Sequence, residues 1–333
     1  MKLSDLGEFG LIHRIAKQFA YDDGSRNTGI GDDCAVIAQD DERFSLVTTD
    51  MLIEDRHFLL SRIKAWELGH KSLAVNLSDI AAMGGKPQYA FLSLGLPGHM
   101  ELNWLDEFFL GVKNLCSHSQ TQLLGGDTTR SPERLVINFM IIGTVGVSHI
   151  KRRSMAQVGD ILCVTDTLGD SIGGLHLLSV DADLDSDAQY LINRHHQPWP
   201  HLEEGQWLAH SPAVHAMMDV SDGVASDIHR IMGQASVGAR IQVDQVPISD
   251  TLGRVGQKFG WATHELALGG GEDYCLMLTV NPRDFKTLAH DFWEHFGRPL
   301  YPIGEIVPPN EGLSYWQNGQ AIHFLGEGFD HFK

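Results

Sequence analysis

One apolar segment of the chain reads Leu73-Ala74-Val75-Asn76-Leu77-Ser78-Asp79-Ile80-Ala81-Ala82-Met83-Gly84-Gly85. Its periodicity predicts a helix over residues 65–83 that ends at the glycine pair, a frequent C-terminal stop. Asn76 and Asp79 are three residues apart and share one face of that helix, while Leu73, Leu77 and Ile80 form an opposite, core-facing side. A polar stripe on such an apolar helix differs from a solvated face. We therefore expect Asn76 and Asp79 to line a functional site.

The length and charge of the chain set the class of protein. At 333 residues the chain is too long for one ordinary core and predicts two α/β domains, 1–150 and 151–333. The basic, turn-rich residues 149–154 mark the boundary. With 25 basic and 43 acidic residues the formal net charge is −18, which disfavours nucleic acid or an anionic membrane surface as a partner. Apolar runs are far shorter than the ~20 residues of a membrane helix. No secretory signal begins the chain, so a cytoplasmic enzyme is expected.

The pattern of strands and helices predicts a mixed α/β fold. Helices are predicted over residues 4–20, 65–83, 104–117, 171–178, 188–194, 223–235 and 282–296. Strands are predicted over residues 34–38, 44–48, 89–94, 122–124, 135–147, 161–165, 213–218, 274–280, 301–306 and 313–324. Strands and helices alternate in both halves without a strict βαβ repeat, which favours α+β-type mixed sheets over a doubly wound parallel sheet. Cys34, Cys116, Cys163 and Cys275 are widely spaced and are predicted to be buried free thiols.

Carboxylates beside glycines or hydroxyls recur at the ends of apolar runs. They occur in Gly31-Asp32-Asp33, Thr48-Thr49-Asp50, Asn76-Leu77-Ser78-Asp79, Gly125-Gly126-Asp127-Thr128-Thr129, Asp219-Val220-Ser221-Asp222-Gly223 and Gly270-Gly271-Glu272-Asp273. Aspartates with hydroxyls are hard oxygen ligands that suit Mg²⁺, and glycines let backbone N–H groups approach phosphate. One such cluster alone is usually a turn or a helix cap. Six of them, in a chain without a GxxxxGK[ST] loop, predict Mg²⁺-polyphosphate chemistry.

Other charged stretches are interpreted as structural. The acidic residues 181–187 carry no glycine scaffold and are predicted to be solvated. His195-His196 is predicted to end a helix, and zinc is disfavoured because no HExxH motif is present. Lys151, Arg152 and Arg194 are predicted to be solvated surface charges.

In this order the motifs resemble the thiamine-monophosphate kinase family, of the superfamily that includes aminoimidazole ribonucleotide synthetase and selenophosphate synthetase. The resemblance runs nearly end to end. It begins at Leu6-Gly7-Glu8-Phe9-Gly10, includes the six clusters above and His57-Phe58, and ends at Phe329-Asp330-His331-Phe332. Each motif alone is weakly specific, whereas the ordered set is highly specific.

The resemblance implies transfer of the ATP γ-phosphate to thiamine monophosphate. It implies an aminoimidazole ribonucleotide synthetase-like fold whose N-terminal domain pairs with its twin in a homodimer barrel. Several Mg²⁺ ions would be held by Asp33, Thr48, Thr49, Asp50, Asp79, Asp127, Asp219 and Asp222, with Asp50, Asp79 and Asp127 as the catalytic set. ATP would contact Gly126, Asp127, Arg153 and Ser221, and the second substrate His57, Glu272 and Phe329. A requirement for K⁺ is left open. An acceptor that is already a phosphate needs no strong general base, so direct in-line transfer is expected.

Two departures and three alternatives accompany this resemblance. Asp55 stands where the family typically has glycine, which leaves the local backbone and the role of Arg56 open, and Gly326 stands where relatives often have tryptophan. A selenophosphate synthetase would need a reactive cysteine before Cys34, and a carbamoyl-dehydrating maturation enzyme a C-terminal cysteine. A purine-pathway amidine synthetase is disfavoured by the segment 270–273. A nucleotide-binding regulator without catalysis is disfavoured by the intact acidic set, since crowded aspartates repel one another without a cation.

Overall fold

A computed structural model describes residues 3–19, 26–180 and 185–324 of the chain. Its helices are α1 (Leu3–Gln18), α2 (Ala65–Ala82), α3 (Leu102–Ser119), α4 (Asp170–Leu178), α5 (Ser186–His196), α6 (Leu202–Ala209), α7 (Val224–Ala235), α8 (Asp250–Phe259), α9 (Thr263–Gly269) and α10 (Phe285–Phe296). Its strands are β1 (Ala35–Ala38), β2 (Arg43–Ile53), β3 (Lys86–Pro97), β4 (Gln122–Ser131), β5 (Val136–Gly146), β6 (Ile161–Val164), β7 (Val214–Asp219), β8 (Gly238–Gln242), β9 (Leu276–Val280), β10 (Tyr301–Val307), β11 (Leu313–Gln317) and β12 (Gln320–Ile322).

The strands form two mixed sheets, as the sequence predicts. The first has the order β1-β2-β5-β3-β4, in which only β3 and β4 are parallel neighbours. The second has the order β12-β11-β8-β10-β6-β9-β7, in which only β8 and β11 are parallel neighbours. Among the described residues no helix is long and apolar enough to cross a membrane.

Helix α2 lies between the two sheets and contacts both. It packs on β2, β3 and β5 of the first sheet, on β7 of the second sheet, and on α3 and α6. Its polar residues are therefore as buried as its apolar ones: Lys71, Asn76 and Ser78 are fully inaccessible. The predicted helix and its glycine end are confirmed. The prediction that only one side of α2 faces a core is wrong, because this helix has protein on every side.

The first sheet has one covered face and one open face. Along β5, Ile137, Phe139 and Ile141 are buried, whereas the alternate residues are only half-buried. The open face comprises Met51, Tyr89, Phe91, Asn138, Met140 and Ile142, which the strand register places on the side away from α2. Met51 and Tyr89 are among the exposed large apolar residues. An apolar sheet face that remains accessible is typical of a surface that binds another molecule.

Several element boundaries differ from the predictions. Strand β2 continues past Thr48 to Ile53, and β4 continues past Leu124 to Ser131, so that two of the polar motifs lie inside strands. Pairing with long neighbours explains this, because β2 aligns with β5 along its whole length. Strand β8 and helices α6, α8 and α9 were not predicted. For α8 the signals were present, since Ser249 caps its N-terminus and Gly260 ends it in a left-handed conformation. All four cysteines are buried free thiols, as predicted.

The contact between α2 and α3 generates a test of the packing. A Cβ added to Gly69 would lie 2.0 Å from the carbonyl oxygen of Phe108, and one added to Gly111 would lie 2.0 Å from that of Trp66. We expect Gly69→Ala to lower the free energy of unfolding by about 3 kcal/mol, because the two helix backbones must separate. Gly233→Ala, in α7, is the matched control, because nothing lies within 4 Å of its added Cβ. It should raise stability by about 0.5–1 kcal/mol in the same chemical denaturation series, since alanine is the better helix former. Equal effects of the two substitutions would contradict the close packing.

Candidate functional site

Three aspartates converge where α2 meets both sheets. Asp33 precedes β1, Asp79 lies in the last turn of α2, and Asp219 ends β7. One carboxylate oxygen from each lies within 4.8 Å of the others. Asp79 is 46 positions from Asp33 and 140 positions from Asp219, so tertiary packing around α2 brings the three together. We call these residues the aspartate cluster.

Each carboxylate of the aspartate cluster is held by a neighbour. The hydroxyl of Thr48 on β2 donates to Asp79 Oδ2. The hydroxyl of Ser78 donates to Asp219 Oδ2 at 2.6 Å. The guanidinium of Arg153 donates to Asp33, through Nε at 3.3 Å and through Nη2. Since Ser78 and Asp79 are adjacent on α2, one turn of this helix fixes carboxylates that belong to both sheets.

Burial and mutual repulsion disfavour the ionised forms of these groups. Burial raises the pKa of Asp79 well above its usual value, and the charges of Asp50, Asp219 and Asp33 raise it further. Burial, followed by the charge of Asp33, likewise raises the pKa of Asp219. Asp50 lies beside the cluster, where burial and the charges of Asp222 and Asp33 raise its pKa to about 6. The cluster therefore has fewer positive than negative groups around it.

The donor set fits a hard divalent cation. All the converging atoms are carboxylate oxygens, with hydroxyls next to them, and soft donors do not take part: Cys34 points its thiol at the backbone carbonyl of Asp79. Mg²⁺ prefers one or two carboxylates and completes its shell with water and phosphate oxygens. A cation would also relieve the repulsion that raises the pKa values above.

The loop after β7 carries the next predicted residues. Asp222 forms an ion pair with Arg230 on α7. Asp227 accepts hydrogen bonds from the backbone N–H groups of Ser221 and Asp222, at 3.0 and 3.1 Å. This fixes Ser221 and Asp222 just beyond Asp219, at the edge of the aspartate cluster.

A small cavity of about 70 Å³ brings the two described substrate-side residues together. His57 and Glu272 both line it, with Phe58, Leu59, Ile63, Lys71, Leu175, Leu178, His195 and His196. His57 accepts a hydrogen bond from the Ile53 N–H at 2.9 Å. Glu272 has a left-handed backbone with φ 63° and donates its N–H to Ser221 O at 2.7 Å. The cavity is thus linked through one backbone hydrogen bond to the loop beside the aspartate cluster.

Close backbone packing makes this link possible. A Cβ added to Gly271 would lie 2.5 Å from Ser221 O, and one added to Gly223 would lie 2.7 Å from Gly270 O. Gly223 also has φ 94°, a conformation that favours glycine. The glycines of the predicted motifs therefore bring two loops into contact, which complements the phosphate-binding role expected from the sequence.

Two predicted ligands lie apart from the aspartate cluster within one chain. Thr49 points to the open face, donates to Phe139 O at 2.9 Å and accepts from Asn138. Asp127 is exposed on the edge strand β4, where it is in register with Ser93, and Gly126 precedes it. Strands β5 and β3 separate β4 from β2, which corresponds to about 14 Å. Phe329 and the departure at Gly326 lie outside the described residues.

The position of Asp55 resolves one departure from the family pattern. Asp55 has φ 64°, the left-handed conformation that glycine adopts most easily, and its carboxylate forms an ion pair with Arg134. The local turn is therefore formed with an aspartate in place of glycine.

Some functional groups were missed or misread from the sequence. Lys71 was not singled out, although a lysine inside an apolar helix was an available signal. His195 does lie in the last turn of α5, as predicted, but it also lines the cavity. The prediction of solvated charges is wrong for Lys151, which is buried and donates to Ser211 O and Val214 O. The same prediction is wrong for Arg194, which forms an ion pair with Asp166, just after β6.

Comparisons with known proteins follow the same two-part division. The AIR synthase related protein, N-terminal domain, matches residues 31–145, and its C-terminal domain matches residues 157–316. The thiamine-monophosphate kinase of Salmonella typhimurium is 38% identical over 331 residues, 98% of both chains. A solved structure described as "AaThiL complexed with AMPPCP and TMP" has a TM-score of 0.86 and 32% identity over 99% of both chains. Thiamine-monophosphate kinase from Stenotrophomonas maltophilia K279a has a TM-score of 0.75 and 36% identity, over 95% of this chain and 98% of that one. The predicted fold is confirmed.

The raised pKa values generate a test of the aspartate cluster. A carboxyl whose folded pKa is raised stabilises the fold while protonated, and this stability is lost as the pH rises through the folded pKa, about 6 for Asp50. We expect Mg²⁺ to raise the thermal midpoint more at pH 8 than at pH 5.5. Asp219→Asn should raise the metal-free midpoint at pH 8 and reduce the Mg²⁺ effect.

Asp160→Asn is the matched control for that experiment. Asp160 is equally buried but accepts from Gln157 N–H and His215, away from the cluster. This variant should lose stability and keep the full Mg²⁺ effect. A Mg²⁺ effect that is the same at both pH values in the parent protein would contradict the assignment.

Proposed function

Because the chain belongs to the thiamine-monophosphate kinase family, we propose that it transfers the γ-phosphoryl group of ATP to thiamine monophosphate. The products are thiamine diphosphate and ADP. The observation that carries the proposal is the convergence of Asp33, Asp79 and Asp219 next to the cavity of His57 and Glu272. The first group fits a polyphosphate with its cation, and the second fits an organic ring. Since ATP is the donor, the enzyme works in the cytoplasm.

The residues of the site position the two phosphates and neutralise charge. An oxygen of the acceptor phosphate forms a bond to the γ-phosphorus of ATP, and the bond from that phosphorus to the bridging oxygen breaks, so that ADP leaves. The acceptor oxygen is already ionised, and no general base is needed. Arg153 and Ser221 border the cluster, where bound ATP phosphates would meet them. Alignment of donor and acceptor accounts for most of the rate enhancement.

Mg²⁺ is the cation that we propose for the aspartate cluster. Asp33, Asp79 and Asp219 would hold it, with Thr48, Asp50 and Asp222 beside them. When bound, it would neutralise the charge of the transferred phosphoryl group. K⁺ is a second cation in this proposal, and the assay below shows whether the enzyme requires it.

The acceptor is proposed to bind in the cavity between the sheets. The cavity of about 70 Å³ is smaller than a thiamine molecule, so the loops around it must move apart when the substrate enters. His57 and Glu272 supply polar contacts, and Phe58 and Leu59 supply an apolar wall. Phe329 is proposed to stack on the bound ring.

A homodimer completes the proposal. The open face is apolar, and β4 is an exposed edge strand, so a second copy that packs on this face would bury both. Gly126 and Asp127 lie on β4, remote from the aspartate cluster of their own chain. We place them in the ATP site of the second copy, which reconciles their position with their expected role.

A coupled assay tests the activity. Thiamine diphosphate should form from ATP and thiamine monophosphate only with Mg²⁺, and neither thiamine nor an aminoimidazole precursor should replace the acceptor. Asp79→Asn should lower turnover by roughly 10²–10³, because a buried charged group at the transferred phosphate is lost. Asp187→Asn, on the protein surface and paired with Arg254, is the control and should keep full activity.

ADP release with another acceptor would favour a different synthetase of the superfamily, and nucleotide binding without turnover would favour a regulator. Parallel reactions with and without K⁺ show whether it is needed.

A subunit-mixing experiment tests the shared site. Asp127→Asn and Asp219→Asn should each be inactive alone. If Asp127 acts in the second copy, randomly mixed subunits should recover about a quarter of the parent activity, because half of the dimers contain one intact site. Recovery should be absent if both residues act in one chain.

Sedimentation tests whether the open face is the dimer interface that the subunit-mixing experiment requires. Tyr89→Glu, on the open face, should give a particle of 36.9 kDa, the mass of one chain, instead of twice that mass. Leu102→Glu, equally apolar and exposed at the start of α3, should leave the larger particle unchanged. A single-chain mass for the parent protein would refute the dimer.

A further inference from the structure

Lys71 is a charged residue in the centre of the fold. It lies on α2, and its side chain is only 1% exposed. Burying an ammonium costs free energy unless it is paired and hydrogen-bonded, so the contacts of Lys71 identify the groups that it positions. They reach from α2, which belongs to the first sheet's layer, to Glu272 and His195 in the second half of the chain.

Lys71 hydrogen-bonds both Glu272 and His195, and these two partners also lie next to each other. Lys71 Nζ lies 2.9 Å from Glu272 Oε2 and 3.4 Å from His195 Nε2. His195 Nδ1 lies 3.1 Å from the same Oε2 atom. An ammonium can only donate, so Nε2 accepts from Lys71 and the ring proton sits on Nδ1. Nδ1 of the neutral ring then donates to Ser171 Oγ at 3.1 Å, with Glu272 Oε2 as a second close neighbour. Burial, followed by the charge of Lys71, lowers the pKa of His195 to about 3.

The contacts of Lys71 and His195 leave one carboxylate oxygen of Glu272 available. Both contacts use Oε2, and within the described part of the chain Oε1 has no hydrogen-bond partner. The Glu272 side chain is 28% exposed and lines the cavity together with His57. Burial alone would raise the pKa of Glu272, but Lys71 and His195 outweigh it, so that the pKa lies below its usual value. The carboxylate is therefore an ionised acceptor at the wall of a mostly apolar cavity.

We propose that Lys71 is a positioning residue for the acceptor substrate. It holds Glu272 as an ionised carboxylate with Oε1 free to bind a cationic heteroaromatic ring or its amino group. The inference rests on the proposed function for the identity of that ligand, since thiamine monophosphate carries both a thiazolium and an aminopyrimidine. Lys71 uses two of its three N–H donors on Glu272 and His195, so its proposed effect on the substrate is exerted through Glu272.

A purely structural role is the competing explanation, and kinetics separate the two. Lys71→Met should raise the KM for thiamine monophosphate about tenfold or more, the loss of one charged hydrogen bond, while kcat and the KM for ATP change little. Glu272→Gln should do the same. The double variant should be no worse than the poorer single variant, because both substitutions remove one interaction. Lys71→Arg, which keeps the charge, should fall between the parent and Lys71→Met. Lys113→Met, exposed on α3, should match the parent.

Several outcomes overturn the inference. They are an unchanged KM for thiamine monophosphate in Lys71→Met, parallel losses in kcat and both KM values, and additive losses in the double variant. If Lys71→Met alone does not fold, the double variant removes both buried charges, and its KM is compared with that of Glu272→Gln. If the parent makes no thiamine diphosphate, the proposed function fails. Calorimetry with thiamine monophosphate then decides the inference separately: no binding by the parent, or an equal Kd for Lys71→Met and the parent, overturns it.

Discussion

The burial of α2 between two sheets is the constraint on which the structure depends. This helix carries polar side chains that cannot reach water, and each must therefore find a partner in the protein. Asn76 accepts from the Asp50 N–H at 2.9 Å, Ser78 donates to Asp219, and Lys71 pairs with Glu272. These partners belong to both sheets. The hydrogen bonds that assemble the site therefore also connect α2 to both sheets.

The distribution of charge follows from that arrangement. The chain has a formal net charge of −18, and two of its buried cations are paired with particular carboxylates: Arg153 with Asp33, and Lys71 with Glu272. Asp79 and Asp219 are held instead by hydroxyls, which orient a carboxylate without neutralising it. The protein therefore keeps its uncompensated negative charge at the place where a cation and a polyphosphate would bind. Repulsion among these carboxylates lowers the stability of the fold, and a bound cation would relieve it, a frequent feature of functional sites.

The sequence identified three residues that meet in the fold, but it did not predict which of the candidate residues lie together. Asp33, Asp79 and Asp219 were found because each stands in a short motif of glycine or hydroxyl residues that is visible locally. Their convergence, and the separation of Asp127 from them, depend on strand order, since β4 lies at the edge of the sheet. The end of β4 could not be predicted from the local sequence either. Its last residues are polar and remain in the strand only because they pair with β3, beyond a register irregularity after Ala90. Lys71 was overlooked and Lys151 was predicted to be solvated because a single lysine is usually exposed, and only tertiary contacts show that both are buried.

Backbone strain lies on both sides of the cavity. Asp55, two residues before His57, and Glu272 itself are left-handed, with φ 64° and 63°, and Tyr274 has φ 50°. Such a conformation costs a non-glycine residue about 1–2 kcal/mol, so the surrounding contacts must enforce it. Glu272 and Tyr274 donate their N–H groups to Ser221 and Val220, which ties them to the loop that follows Asp219. These two hydrogen bonds hold the backbone of Glu272 against the loop that follows Asp219, while its side chain points toward Lys71. The distance between Glu272 and the aspartate cluster is therefore set by main-chain hydrogen bonds, which is what the proposed reaction, with its dependence on alignment, requires.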